Sequence, residues 1–411
     1  MDEAALRARL EALSLFGRPA GGTFGSGVSR VAYSDADVAG RKYVMDLMRT
    51  AGLQPWIDAA GNIFGRRAGP DASAPPIVFG SHIDSVPSGG NFDGDLGSLA
   101  ALGVIEALDR AGHTTRHPLE MAVWSAEEGV AFGRGLAGSR IVAGDYAPAD
   151  LTATWNGMTR ADAIRRIGGT PDRIETAIRS KGAHHCYLEL HIEQGGTLEA
   201  RRAPVGVVQG IVSIQRYRAV ITGVANHAGT TPMADRHDAL VAASRLTLAV
   251  REAVTKRPGR QVGTVGHLVV EPNAPNVIPG TVQLIIELRD LSPDVLTSLA
   301  DEIRTRAAEI GRMSGTTIEL TSLGGNPPAL ASAEVQQAIE RAASARSLES
   351  MRLPSGAGHD AQMMAQLGPM GMIFVPSVGG ISHSPRELTT WEDCANGANV
   401  LLSAVLEADK S

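Results

Sequence analysis

The chain of 411 residues is longer than one ordinary domain, so two domains are expected. With 43% hydrophobic and 20% charged residues and a formal net charge of -6, it can build a sizeable core and lacks the basic surplus of a nucleic-acid binder. Only two cysteines occur, Cys186 and Cys394, which excludes a disulfide framework and suits a reducing compartment. Met1 to Leu15 carries no signal-peptide core and no apolar run approaches membrane-spanning length, so a cytoplasmic protein without nucleic-acid or membrane partners is expected.

Residues 2–16 read as a helix with Leu6, Leu10 and Leu13 on one face. A second helix, capped at Ser34 or Asp35, runs to about Ala51 and stops at Gly52. Residues 54–67 read as a hairpin around Ala60-Gly61-Asn62. Ile77-Val78-Phe79 ends a buried strand and feeds the glycine-rich stretch Gly80 to Gly97, after which a helix spans about 97–111. Leu119 to Ser125 is a second apolar strand that runs into Ala126-Glu127-Glu128-Gly129. Several short helices follow over 133–181, then a third strand, Cys186 to Ile192, ending in Glu193-Gln194-Gly195-Gly196.

Near residue 210 the character changes. A β-rich segment at 205–224 precedes a helix at 235–254, strands at 262–270 and 282–288, a helix at 293–312 and a strand at 316–323. This βαββαβ-like order makes a compact two-layer α+β domain. After Gly325-Asn326-Pro327-Pro328 the first pattern returns, with helices at 332–346 and 360–367, a strand at 372–375 and a last helix at 391–408. The expected fold is α/β. A mixed-sheet domain with helices on both faces, from residues 1–210 and 326–411, is interrupted by the smaller domain at 211–325.

Open α/β sheets carry their chemistry beyond the carboxyl ends of strands. His82, Asp93, Glu128, His191 and His383 all lie at or just beyond strand ends in polar loops. Mixed imidazole and carboxylate donors with one bridging carboxylate suit a pair of divalent ions. Asp84, two residues past His82, is placed to accept that ring's other N–H, or is a turn residue. Neighbouring Glu127 and Glu128 point in different directions, so one can bind metal while the other moves protons. Taken alone, they would be a solvated acidic turn.

The blocks His82-Ile83-Asp84-Ser85-Val86-Pro87, Gly90-Asn91-Phe92-Asp93-Gly94, Ala126 to Gly129, Leu190-His191-Ile192-Glu193-Gln194-Gly195, Asn226-His227-Ala228-Gly229-Thr230-Thr231, Pro275-Asn276-Val277-Ile278-Pro279-Gly280 and Ile381-Ser382-His383-Ser384-Pro385-Arg386-Glu387 occur in this order. Over nearly the whole chain they resemble the hydantoinase/carbamoylase branch of the dinuclear-metal aminoacylase-like hydrolases. The resemblance implies one ion on His82, Asp93 and His191 and another on Asp93, Glu128 and His383, with Asp93 bridging. The metals it implies are zinc or manganese, with cobalt and nickel as alternatives. It makes Glu127 the general base and acid and the inserted domain a lid and dimerisation domain of a homodimer. His227 is then a donor to the developing oxyanion, in the site of the partner subunit, and Asn276 and Arg289 hold a substrate carboxylate. Gln194 and Gly358 complete the implied pocket. The match is weaker over Ile214-Gln215-Arg216-Tyr217, where Gln215 or Arg216 lines the pocket or Arg216 is a surface residue of its strand. Arg289 is equally open to an ion pair with Glu287 or Asp290, and His359 and Asp360 read as a loop-ordering pair. The implied activity is hydrolysis of the carbamoyl C–N bond of N-carbamoyl amino acids, small ureido acids. Allantoate or ureidoglycolate chemistry is the alternative, and a peptidase or a non-catalytic binder on the same scaffold are the remaining readings.

Overall fold

A computed structural model describes residues 1–411, which divide into two compact units, Met1–Ile211 with Ala329–Ser411, and Val212–Pro328. In the first, four parallel strands form the heart of a nine-stranded mixed sheet, in the order Leu119–Trp124, Ile77–His82, Cys186–Ile192, Met370–Val375. Ile63–Arg67 flanks one side antiparallel and Val205–Ile211 the other. Side chains of a strand alternate between faces, and here both faces are buried. Ile77, Phe79, Leu119 and Met121 point into one core, packed by the helices Glu3–Leu13, Asp35–Thr50, Asp95–Arg110, Ala333–Ser344 and Trp391–Ala408. Val78, Ala122, Trp124, Tyr187, Met372 and Phe374 point into another, against the short helices Ala137–Val142 and Ala361–Met364. All four central strands therefore deliver their carboxyl ends to one edge of the sheet.

The second unit is a four-stranded antiparallel sheet, ordered Val262–Glu271, Thr281–Asp290, Ser213–Thr222, Thr317–Asn326. Val282, Leu284, Ile286 and Leu288 bury one face against the helices Ala239–Thr255 and Pro293–Ser314. Asp238 and Ser292 cap these helices, and Gly315 ends the second in a left-handed conformation. No helix of the chain is long and apolar enough to cross a membrane.

Two expectations need correction. The β-rich segment at 205–224 is two strands broken at Val212. Val205–Ile211 is buried except at Gln209 and joins the central sheet, whereas Ser213–Thr222 belongs to the inserted one. Ser350–Ser355, read as no strand, pairs parallel to Val205–Ile211. Its polar sequence and Pro354 are tolerated because it is an edge.

One buried ion pair ties the amino-terminal segment to the loop after Ile77–His82. Arg30 contacts Asp95, and its guanidinium also donates to the carbonyls of Ile83 (2.6 Å), Leu13 (3.0 Å) and Phe16 (2.9 Å). Removing one member of a buried pair strands the other's charge. Arg30→Met is expected to lower unfolding free energy by about 3–5 kcal/mol, read from urea denaturation of the metal-loaded protein.

Candidate metal centre

His82 is the last residue of its strand, and the chain then turns through Asp84 to Asp93 at the start of helix Asp95–Arg110. His191 is the penultimate residue of Cys186–Ile192. Glu127 and Glu128 follow Leu119–Trp124, and His383 lies in the loop after Met370–Val375. Each of the four parallel strands thus contributes at least one of these groups.

Asp93 stands between them. Its Oδ1 lies 3.1 Å from His191 Nε2 and 3.4 Å from His82 Nε2, and its Oδ2 lies 3.3 Å from His383 Nε2. His383 Nε2 is also 3.3 Å from Glu128 Oε2. Two groups result, His82–Asp93–His191 and Asp93–Glu128–His383, the donor atoms of each lying within 4.8 Å of one another. The donors fit divalent ions. Ligands about 2.1 Å from a tetrahedral ion are roughly 3.4 Å apart, the separation seen here. His191 Nε2 and Glu128 Oε1 are buried without a hydrogen bond, as donors aimed at a cation would be.

Backbone carbonyls fix the rings. His82 Nδ1 faces Asp84 O at 3.0 Å and His191 Nδ1 faces Ile192 O at 2.9 Å, so each ring donates there and turns Nε2 inward. The expected role of the Asp84 carboxylate is therefore corrected: it lies 3.8 Å from His82 Nδ1 and instead accepts the backbone N–H groups of Glu127 (3.0 Å) and Glu128 (3.2 Å). Asp84 ties the histidine loop to the paired glutamates. Ala126 (φ 53), Gln194 (φ 58) and His383 (φ 52) all adopt left-handed conformations that L-residues seldom take. Gly94, at φ 68, has no such freedom to change, because a Cβ would stand 2.5 Å from the His82 ring.

Burial opposes ionisation of Asp93, but the three imidazoles outweigh it and hold its carboxyl well below the usual range. Burial and the charge of Asp93 push Glu128 up to about 8. Glu127 is raised well above the ordinary value, first by burial, with Asp360, Glu128 and Asp84 adding to it against His82. For His82, burial disfavours the charged ring, but Glu127, Asp93 and Asp84 prevail and raise its pKa. The site is a buried excess of carboxylate, an environment that attracts cations.

Sequence reasoning assigned no role to Glu387. It accepts the backbone N–H of Phe92 (3.0 Å) and Asp93 (3.1 Å), while Ser382 donates to it at 2.7 Å. Its only signal was its place in the block with His383. Gln194, expected at substrate, donates its amide to Asp93 Oδ2 at 2.7 Å and lies 3.3 Å from His383 Nε2. Gly358 is half-buried just before His359, whose Nε2 bonds Ser355 Oγ at 2.8 Å. His359 also forms a group with Glu189 and His191 that has metal-ligating donors.

The remaining expected site residues belong to the second unit. His227 is exposed, and its Nδ1 accepts the N–H of Gly229 (2.9 Å) and Thr230 (3.3 Å), which leaves the proton on Nε2. The carbonyl of exposed Asn276 accepts the Ala228 N–H at 2.9 Å. Arg289 pairs with Glu287 at 2.7 Å, which also holds Arg216 at 2.6 Å. Gln215 accepts the Tyr217 hydroxyl at 2.8 Å.

The model of peptidase family M20/M25/M40 matches residues 78–407, which places the chain among that family's hydrolases. An N-carbamoyl-L-amino acid amidohydrolase of Geobacillus stearothermophilus is 41% identical over 92% of this chain and 93% of its own. A ureidoglycolate hydrolase of Oryza sativa is 37% identical over 92% and 80%. The crystal structure of a hydantoinase/carbamoylase family amidase from Burkholderia multivorans superposes with a TM-score of 0.93 at 37% identity, covering 100% of this chain and 98% of that one. The chain belongs to the hydantoinase/carbamoylase amidases within the M20 hydrolases, and its chemistry is that of an amidohydrolase.

Asp84→Ala would leave two buried N–H groups unpaired behind Glu127 and Glu128. It is expected to lower hydrolytic turnover or metal affinity about 10- to 100-fold, measured by steady-state assay beside metal analysis of the same preparation.

Proposed function

We propose that this protein hydrolyses the carbamoyl C–N bond of N-carbamoyl amino acids, releasing the amino acid, ammonia and carbon dioxide. The observation that carries the reading is the convergence of His82, Asp93, Glu128, His191 and His383 on two donor groups sharing Asp93, with Glu127 beside them. Relatives named as N-carbamoyl-L-amino acid amidohydrolases support the substrate class. The cofactor would be two divalent ions, zinc or manganese, with cobalt and nickel suited to the same donors. His82, Asp93 and His191 would hold one, and Asp93, Glu128 and His383 the other. Such a pair supplies Lewis acidity to a carbonyl oxygen and acidifies water.

The chain's own groups do the rest. Glu127, 3.8 Å from His82 Nε2 and buried, takes a proton from the attacking water and returns it to the nitrogen that leaves. His227 Nε2–H donates to the oxyanion as the carbonyl becomes tetrahedral, in the site of a second copy of the chain. Arg289 and Asn276 take the substrate carboxylate, with Arg289 exchanging or sharing its pairing with Glu287. Gln194, Gln215 and Gly358 shape the pocket. Residues 212–328 act as lid and dimerisation unit of a homodimer. The buried thiols of Cys186 and Cys394 fit a cytoplasmic protein.

Ureidoglycolate- or allantoate-type hydrolysis is the second reading, favoured by plant relatives named ureidoglycolate hydrolase. Both substrate types present a carboxylate and a ureido group. A panel of N-carbamoyl-L- and D-amino acids, N-carbamoyl-β-alanine, ureidoglycolate, allantoate and dipeptides, read by ammonia or amine release, separates the readings. Preference for dipeptides would overturn both. Glu127→Gln is expected to keep its metal and lose about 100- to 10,000-fold in kcat. Near-normal kcat at verified metal content would remove Glu127 from the mechanism.

A further inference from the structure

The backbone of Glu127 is held from both sides. Its N–H donates to Asp84 at 3.0 Å, and its carbonyl accepts the Leu136 N–H at 2.8 Å. The Ala137 N–H donates to Ala126 O at 3.1 Å and the Gly138 N–H to Ser125 O at 2.9 Å. Helix Ala137–Val142 has no side-chain cap, so its first N–H groups go to the strand end that carries Glu127. Residue 138 is glycine because a Cβ would stand 1.9 Å from Asn62 Oδ1 and 2.6 Å from Ser125 Oγ. Ala126 and Leu136, at φ 53 and φ 60, are left-handed at the two ends of this turn. Such conformations persist only where the surroundings over-determine them.

The helix is fixed in turn by one polar contact from far along the chain. Ser139 Oγ donates to Asp360 Oδ1, and neither residue is exposed. Asp360 precedes helix Ala361–Met364 but does not cap it; the Ala361 N–H goes to Glu189 Oε2 at 3.0 Å instead. Glu189 lies two residues before His191 on the same side of its strand, and its Oε1 accepts the hydroxyl of Ser81, next to His82, at 2.7 Å. The Asp360 loop therefore joins the strands of His82 and His191 to the helix behind Glu127. Asp360 Oδ2 is buried without a hydrogen bond. A carboxylate this deep with a single hydroxyl donor is destabilising, and capping does not account for it.

We propose that Asp360 is a positioning residue for Glu127, acting through Ser139 to hold helix Ala137–Val142 against the strand end that carries the glutamate. The hydrogen bond sets where the Glu127 backbone stands relative to the strands of His82 and His191. Asp360 is not itself a catalytic residue. Its role rests on Glu127 being the general base and acid.

Ser139→Ala and Asp360→Ala are each expected to lower kcat about 10- to 100-fold, with KM and metal content close to those of the unaltered protein. Asp360→Asn keeps an acceptor for the Ser139 hydroxyl and is expected to recover most of kcat. On a Glu127→Gln background, Ser139→Ala is expected to lower kcat no further, because residues acting as a unit are not additive; a merely structural defect would lower it again. Near-normal kcat in Glu127→Gln alone would remove the base assignment and this role with it. Where Glu127→Gln is impaired, Asp360 loses its role if Ser139→Ala keeps its kcat or raises only KM. The same holds if Asp360→Asn recovers nothing, or if the losses multiply on the Glu127→Gln background. If Asp360→Ala does not fold, Ser139→Ala, which removes a single oxygen atom, decides.

Discussion

A single buried carboxylate, Asp93, holds the centre together. Three imidazoles face its two oxygens, and its own backbone N–H is taken by Glu387. A charge this deep is tolerated only when surrounded by donors or cations. The donors around it are fixed in turn, His82 and His191 through backbone carbonyls and Glu387 through Ser382. Gly94 follows Asp93 because the His82 ring occupies the space a side chain would need.

The sheet explains why such distant residues meet. Parallel strands share one carboxyl edge, and four neighbouring parallel strands bring four loops to the same place. Burial on both faces keeps those strands in register, since a slip of one residue would turn His82 or His191 to the wrong side. Asp84 then links two of the loops, so the orientation of the glutamates depends on the turn that follows His82.

Much of this was legible in the residues. Strands at 77–80, 119–125 and 186–192 stood out as apolar runs ending in polar loops, and the five donors followed from those loop positions together with the family resemblance. The role of Asp84 was misjudged because sequence spacing shows its nearness to His82 but not the approach of Glu127 from another strand. Glu387 escaped notice for a similar reason: its partners are backbone groups nearly three hundred positions away, which leave no residue pattern. Ser350–Ser355 went unread because an edge strand needs neither alternation nor freedom from proline. The division at Val212 was blurred because one β-rich run serves two sheets with different burial.

The order of strands also bears on how the chain is made. Met370–Val375 lies inside the central sheet, between Cys186–Ile192 and Val205–Ile211, although it is translated long after both. Synthesis proceeds from the amino terminus at about 5–20 residues per second, so the interior of that sheet stays open while the whole inserted unit emerges. The inserted unit, continuous from Val212 to Pro328, is free to fold first. A chain ended by a premature stop before residue 370 would keep most of its helices and lack the one strand that closes the gap.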